Sequence, residues 1–516
     1  MATEPTASSL LGLDVGTSGC KATVVAADGR VLGTGYQEYA ALSTPDGGAE
    51  LDAEVVWAAV RTVLARSLAP GLARGVRAIS VSSFGETVVP IDRAGRALRP
   101  GILYFDRRGG EAAERLGRRL GPDRILALTG TAPHPMYSIC KIMWLREHEP
   151  ELYARTWKFL FFADFVLFRL GAPPCTDHSL AARSMAFEVV AKRWSPELLA
   201  AAEVPADRFG EAVPSGTGLG RIAPGLAAEL GLAPEVLLVA GGHDQACAAL
   251  GAGAIRPGLA SNGMGSTECI TPCFDHPVIN AQMAASAFAC VPHVRPGHYV
   301  TYAFSFTCGS LLRWYRDQFG AAQVAEAARR GLDPYQVLIE QALPDPNGPL
   351  RPTGPSGLYV LPHFAGAATP YMDGAAVGAM VGLDLDTRPA RIILGILEGV
   401  TFEMRVNLAR LAEAGVPIRE LRATGGLARS ERMLQLKADM MGLPVRALAV
   451  SEAGTLGVAI LAGTACGIYA SLEEGVDRLV RLGRSFLPDP ERHQRYQEAF
   501  RVYQRLYPAV RSVYGR

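Results

Sequence analysis

The opening segment of the chain constrains the fold most, because it reads as three consecutive antiparallel strands. Leu10 to Asp14 is an apolar run of strand length, Gly16-Thr17-Ser18-Gly19 is a glycine-rich turn, and Cys20 to Ala26 returns as a second strand. Asp28-Gly29 marks another tight turn before Arg30 to Tyr39. A dinucleotide-binding fold opens instead with strand, helix and strand, so this opening argues against it. Val55 to Ala69 has helical spacing, Ala78 to Ser82 is strand-like, and Thr87 to Ile91 with Asp92-Arg93-Ala94-Gly95 reads as a further strand and turn. Strands and helices alternate from there, the pattern of an α/β protein.

The middle of the chain repeats the opening. Val236 to Ala240 reads as a buried strand that runs through Gly241-Gly242-His243 into an alanine-rich helical stretch, Gln245 to Leu250. Ile255-Arg256-Pro257-Gly258 is a crossover. Leu259 to Asn262 then leads into Gly263-Met264-Gly265-Ser266-Thr267, a tip that echoes Gly16-Thr17-Ser18. Two such tips, each at the start of a half, predict two similar domains facing each other across a cleft, residues 1–256 and 257–516. The second half continues with a helical stretch, Ala390 to Ala414, a strand, Leu421 to Thr424, a Gly425-Gly426 turn, and a helix from Ser430 to Met441 closed by Gly442 and Pro444.

Composition narrows the partners. Lysine plus arginine total 51 against 50 aspartate plus glutamate, so no general attraction to nucleic acid or anionic lipid is expected. The most apolar runs, Phe159 to Leu170 and Val236 to Ile255, are broken by charged residues or histidine, short of the roughly 20 apolar residues a membrane helix needs. Met1 to Ser9 lacks a basic stretch followed by an apolar one, so no secretory signal is expected. Nine scattered cysteines, the closest being Cys269 and Cys273, read as reduced thiols of a cytoplasmic protein.

No Gly-Lys dipeptide, GxGxxG, HExxH or GxSxG occurs, which removes the usual signals of P-loop enzymes, dehydrogenases, zinc proteases and serine hydrolases. Phosphate-shaped turns remain. In Asp14 to Lys21 the glycines open backbone N–H groups to phosphate oxygens, the hydroxyls add donors, Lys21 adds charge, and Asp14 at the strand end suits a hydrated magnesium ion. Gly263 to Thr267 offers a second anion-binding tip. Asp244 stands where a helix begins, ionised and able to accept a proton from a bound hydroxyl during phosphoryl transfer. The Thr424 to Ser430 junction lets a base or phosphate lie against bare backbone. Taken alone, the hairpin tip and the strand-helix connection are equally ordinary structure, Asp244 alone reads first as a helix cap, and His243 reads as structural.

The ordered set Asp14 to Lys21, Gly241 to Gln245, Gly263 to Thr267 and Thr424 to Ser430 resembles the FGGY carbohydrate kinases, the family of glycerol, xylulose, ribulose and fuculose kinases. Ser80 to Arg108 and Leu361 to Asp373 also resemble it, so the likeness spans nearly the whole chain. It implies two ribonuclease H-like domains of the actin and sugar-kinase type closing over MgATP and a small polyol or ketose. Carried across by residue, it makes Asp244 the catalytic base and Asp14 the magnesium-associated acid. Thr17, Ser18 and Lys21 would face the phosphates from one domain and Gly265 and Ser266 from the other, with Gly425, Gly426 and Ser430 at the adenosine. Gly85, Glu86, Tyr104, Asp106, Asp244 and Gln245 would form the sugar pocket, the first half binding sugar and the second nucleotide. A homodimer is also implied.

Departures bear on the substrate. Phe84-Gly85-Glu86-Thr87 keeps the acid of glycerol kinases but has glycine where they carry arginine, and Tyr104 stands where many members have tryptophan. Asp244-Gln245 resembles the glycerol kinase pair, while Ser82-Ser83-Phe84-Gly85 is closer to fuculose kinases. The expected activity is ATP-dependent phosphorylation of a terminal hydroxyl on a xylulose- or fuculose-like ketose. The alternatives are a glycerol or tetritol (erythritol-like) kinase, and a non-catalytic sugar- or nucleotide-binding member of the fold.

Overall fold

The computed structural model describes residues 8–45, 47–68, 71–343, 354–449 and 452–514. Ala69, the last residue of the expected first helix, and residues 1–7 of the N-terminal stretch lie outside the described residues. Strands β1 (Ser9–Val15), β2 (Gly19–Ala26) and β3 (Val31–Glu38) form the antiparallel meander expected from the turns. Helix α1 (Ala53–Ser67) follows, capped by the Asp52 side chain, which accepts the Glu54 N–H. Its buried Val56, Val60, Val63 and Leu64 recur at helical spacing and cover the meander. The chain then adds β4 (Val76–Ser83) parallel to β1 and, much later, β5 (Leu237–His243) parallel to β4. The spatial order is β5-β4-β1-β2-β3, with the antiparallel strand Gly218–Arg221 on the outer edge of β5.

After helix α2 (Asp244–Gly251) the plan repeats. Strands β6 (Leu259–Met264), β7 (Glu268–Phe274) and β8 (Ala303–Ser305) form a second meander. Helices α3 (Gly309–Phe319) and α4 (Pro389–Glu413) lead to β9 (Glu420–Thr424), parallel to β6. Helix α5 (Glu431–Met441) leads to β10 (Val445–Leu448), parallel to β9. The order β10-β9-β6-β7-β8 repeats the first sheet, and an antiparallel strand, Leu482–Phe486, again closes the outer edge. The chain is thus α/β, with two ribonuclease H-like halves of the actin and sugar-kinase type. Among the described residues no helix is long and apolar enough to cross a membrane.

Each half has its own apolar core, and a third core joins them. That third core is built around helix α6 (Ala453–Ala465), which is apolar on nearly all sides, as a helix buried all round must be. Although α6 lies in sequence between two strands of the second sheet, it packs against β1, β4 and α2 of the first half. The approach is backbone to backbone. A Cβ on Gly457 would stand 1.9 Å from the Cys247 carbonyl oxygen, one on Gly251 1.9 Å from that of Ala453, and one on Gly12 of β1 2.0 Å from that of Thr455.

Gly457→Ala is therefore expected to destabilise the protein by about 1–3 kcal/mol, as overpacking does. Gly117→Ala, in the helix Gly110–Leu120 with nothing within 4 Å of the added methyl, is expected to stabilise by about 0.4–1 kcal/mol. Urea unfolding of both variants against the parent chain checks the pair.

Candidate active site

Strands β1, β4 and β5 run parallel and end at one edge, the side of an open sheet where ligands collect. There Asp14 lies opposite Ser82, and Ser83 opposite His243. Ser82 Oγ donates to Asp14 Oδ1 at 2.6 Å. Asp244 is the first residue of α2, with His243 rather than the aspartate in the capping position. The Gln245 N–H donates to Asp244 Oδ1 at 2.6 Å. Burial, then the neighbouring charges of Asp14 and Glu86, push the Asp244 carboxyl up to about 8 against the opposing pull of the Gln245 N–H and Arg183. Asp14 is raised too, first by burial and then by Glu452, with Ser82 and Lys21 acting the other way. Both carboxyls at this edge are thus held above the ordinary range, Asp244 in part by the charge of Asp14. An oxygen-only pair of this kind suits a hard divalent cation such as Mg2+, which would restore both charges.

His243 behaves as a structural residue. Its N–H donates to Ser179 Oγ at 2.8 Å, and its ring stacks on Tyr302 of the second half with centroids 4.8 Å apart. Burial, with Arg183 nearby, holds the imidazole well below its ordinary range, so it is neutral beside Asp244.

Glu86 has φ +62°, in the left-handed region that few non-glycine residues enter. Its buried carboxylate is fixed by Arg183, whose Nε donates to Oε1 at 2.6 Å from 97 residues away in sequence. The guanidinium lies beside the rings of Tyr137 and Tyr302, each centroid 5.2 Å from Cζ. Gly85 makes the room: a Cβ there would stand 2.8 Å from both Arg183 Cγ and His243 Cδ2. Arg183, Tyr137 and Tyr302 all escape the sequence reading. The signal that points toward them is Gly85 itself, a bare position beside an acid that needs a cation.

The second half presents a matching edge. Gly265 N–H donates to the Thr267 carbonyl at 3.0 Å, as Gly16 N–H does to that of Gly19 at 2.9 Å in the first tip. The Ser266 carbonyl accepts the N–H groups of Cys308 and Ser310, which fastens the tip to the start of α3. Gly425, at φ +91°, abuts the first residues of that tip, where a Cβ would stand 2.6 Å from the Met264 carbonyl oxygen. Beneath lies a fully buried ion pair between Lys437 of α5 and Glu268 of β7, with Asn262 Nδ2 donating to the same carboxylate at 2.8 Å. Gly265, Ser266, Gly426 and Ser430 all line one cavity of about 1250 Å³, with Arg313, Arg429, Arg432 and Tyr335 around it. Ser430 also caps α5 by accepting the Met433 N–H.

The structure thus gathers Asp14, Gly85, Glu86, Asp244 and Gln245 at the first edge, and Gly265, Ser266, Gly425, Gly426 and Ser430 at the second. Tyr104 joins the first group, its hydroxyl pushed up by burial and then by the charges of Glu86 and Asp244, with the Thr17 side chain acting the other way. Ser18 sits in the first tip, its carbonyl accepting the Tyr39 N–H. Lys21 is engaged elsewhere than on open space: its ammonium pairs with Glu452 Oε2 at 2.5 Å, just before α6. Asp106 departs most from its expected place in the sugar pocket. Its carboxylate accepts the Ala49 N–H at 2.7 Å and the Arg108 guanidinium at 2.7 Å, within a cluster that includes Glu50 and Arg99 over Trp144. That carboxylate is saturated by Arg108 of its own loop and by the Ala49 N–H of another strand.

The raised Asp244 carboxyl sets a stability dependence on pH. The unfolded chain ionises this group near 4, the folded chain near 8. The folded state therefore holds the extra proton between those values, and its stability falls as pH rises through them. Asp244→Asn lacks this loss, so in EDTA its melting temperature is expected to exceed that of the parent by a margin that widens from pH 5 to pH 8. A margin independent of pH would refute the raised carboxyl.

Comparison with known proteins agrees with this geometry. Residues 9–251 match the N-terminal domain of the FGGY family of carbohydrate kinases, and residues 260–466 match the C-terminal domain. A xylulose kinase of Bacillus subtilis (strain 168) is 27% identical over 506 residues, covering 98% of this chain and 97% of the relative. A gluconokinase of Bacillus licheniformis is 28% identical over 501 residues, covering 97% and 94%. The crystal structure of ligand-bound xylulose kinase from Lactobacillus acidophilus shares the fold, with a TM-score of 0.87 and 23% identity over 98% of this chain and 99% of that one. The chain belongs to the FGGY family of carbohydrate kinases, whose members are ATP-dependent sugar kinases.

Proposed function

We propose that this kinase transfers the γ-phosphoryl group of ATP to a terminal hydroxyl of a small ketose of the xylulose or fuculose kind, with Asp244 as general base. The observation that carries the reading is the Asp244 carboxyl, held at the start of α2 between Asp14 and Glu86 at the ligand-collecting edge of the first sheet. In this mechanism the acceptor oxygen forms its bond to the γ-phosphorus while the bond to the β,γ-bridging oxygen breaks, and ADP leaves with that electron pair. The acceptor proton passes to Asp244 late, since the transition state is loose and the base mainly orients the hydroxyl. Asp14, steadied by Ser82, would hold Mg2+, which when bound neutralises phosphate charge. Thr17, Ser18 and Lys21 on one side and Gly265 and Ser266 on the other supply phosphate donors. Gly426 and Ser430 border the cavity for the adenosine, with Gly425 packed against the neighbouring tip at Met264. The first half thus carries the sugar and the base and the second the nucleotide, in a cytoplasmic enzyme that pairs as a homodimer.

A second reading, a glycerol or tetritol kinase, draws on Glu86 and Gln245, a carboxylate and an amide suited to adjacent hydroxyls. A non-catalytic member of the fold has less support, because binding alone needs no acid pressed against Asp14.

ADP release from MgATP is measured across ketopentoses, 6-deoxyketohexoses, aldoses, glycerol, erythritol and other polyols. A ketose is expected to be preferred, with Asp244→Asn lowering turnover by about 10²–10⁴-fold while ATP binding persists. Preference for glycerol or erythritol would establish the second reading. Acceptor-independent behaviour across the panel, with ATP bound, would establish the third.

A further inference from the structure

Three buried polar atoms beside Asp244 make no hydrogen bond: Arg183 Nη1, Tyr302 Oη and His243 Nδ1, the last standing 3.3 Å from Asp244 Oδ1. They form one patch, since His243 stacks on Tyr302 and the Arg183 guanidinium lies beside the Tyr302 ring. Buried polar groups are almost always paired, and leaving one unpaired is costly, so a patch of three marks a place where a ligand completes the bonding. Arg183 itself is only 5% exposed, and its Nε is already committed to Glu86. Its free Nη1 can donate and cannot accept.

The charge around the patch decides what can fill it. Asp14, Glu86, Asp244 and Glu452 supply four carboxyls against two cations, Arg183 and Lys21, and each cation already has a carboxylate partner. A further carboxylate on the acceptor would meet an acidic surround with no unspent positive charge. The patch offers two donors, Arg183 Nη1 and the Tyr302 hydroxyl, to an acceptor oxygen with two lone pairs. A carbonyl oxygen accepts and brings no proton.

Resting on the kinase reading above, we propose that Arg183 is the residue that determines acceptor specificity, its Nη1 donating to the carbonyl oxygen of a neutral ketose, and that the pocket rejects sugar acids. Tyr302, reaching over from the second half, offers its hydroxyl to the same end of the acceptor. The ketose is thereby distinguished both from the polyol, which lacks the carbonyl, and from the aldonate, which adds a charge.

The experiment compares each ketopentose with its pentitols and pentonates, in the parent chain, Arg183→Lys and Gly85→Ala, with KM and kcat separated. Calorimetry of acceptor binding without nucleotide runs alongside. Lysine keeps a cation for Glu86 but loses the second nitrogen. Gly85→Ala keeps the arginine but crowds it, and melting curves verify that both variants are folded. Both are expected to lower kcat/KM for the ketose about 30-fold more than for the pentitol, mainly through KM, since a site built for a polar group discriminates sharply against loss of that contact. The parent chain is expected to bind ketose and leave pentonate unbound. Equal losses for ketose and pentitol would reduce Arg183 to a support for Glu86 and overturn the proposal, as would pentonate binding as tight as ketose. If no acceptor is phosphorylated, the kinase reading fails, and calorimetry alone still decides whether Arg183 selects a neutral carbonyl compound.

Discussion

The contact between α2 and α6 holds the site together. Glycine at both sides of the crossing lets two helix backbones touch, and the helices carry to that point the two ends that matter. One begins with Asp244. The other begins just after Glu452, which pairs with Lys21, and its Gly454 lies close to the Asp14 carboxylate, where a Cβ would stand 3.2 Å from Oδ2. Small residues are usually read as absence of packing. Here they are what brings acids from distant parts of the chain within each other's field, and a single methyl group at the crossing would separate them.

The two edges handle charge differently. At the first, carboxyls outnumber cations, and the surplus is tolerated by protonation or by an arriving cation. At the second, Lys437 and Glu268 are buried together with Asn262 and close their own account of charge. Such a pair adds little net stability in general. Its position between β7 and α5 ties the strand that leaves the tip to the helix that borders the cavity.

Local signals explain what could be read in advance. The hairpin tips are written in glycine and hydroxyl residues over a few positions, and the strand into α2 is written in an apolar run followed by Gly241-Gly242. Asp244 stood out because an acid at a helix start is visible without knowing the neighbours. Arg183 was invisible for the opposite reason: its partner Glu86 is 97 residues away, and its stacking partner Tyr302 belongs to the other half. Asp106 misled because its motif fits a pocket residue, while Ala49 and Glu50, which decide where the Asp106–Arg108 pair turns, come from another strand. Likewise, dividing the chain into two linear halves follows the repeat in sequence, but α6 obeys packing and completes the first sheet from the second half.

That crossing of the repeat has a consequence for how the protein is made. The polypeptide leaves the ribosome N-terminus first, and Leu10, Val25, Ala78 and Val239 share a core with Leu456, Val458 and Ile460 of α6. Until α6 is made, this face of the first sheet has only first-half residues such as Phe187, Cys247 and Leu250 against it and lacks the rest of its cover. The usual order, in which an N-terminal domain finishes before the next begins, is closed to this chain. Its two halves mature together, once α6 has been made, and until then part of an apolar sheet face is open to whatever chaperone or neighbouring nascent chain meets it.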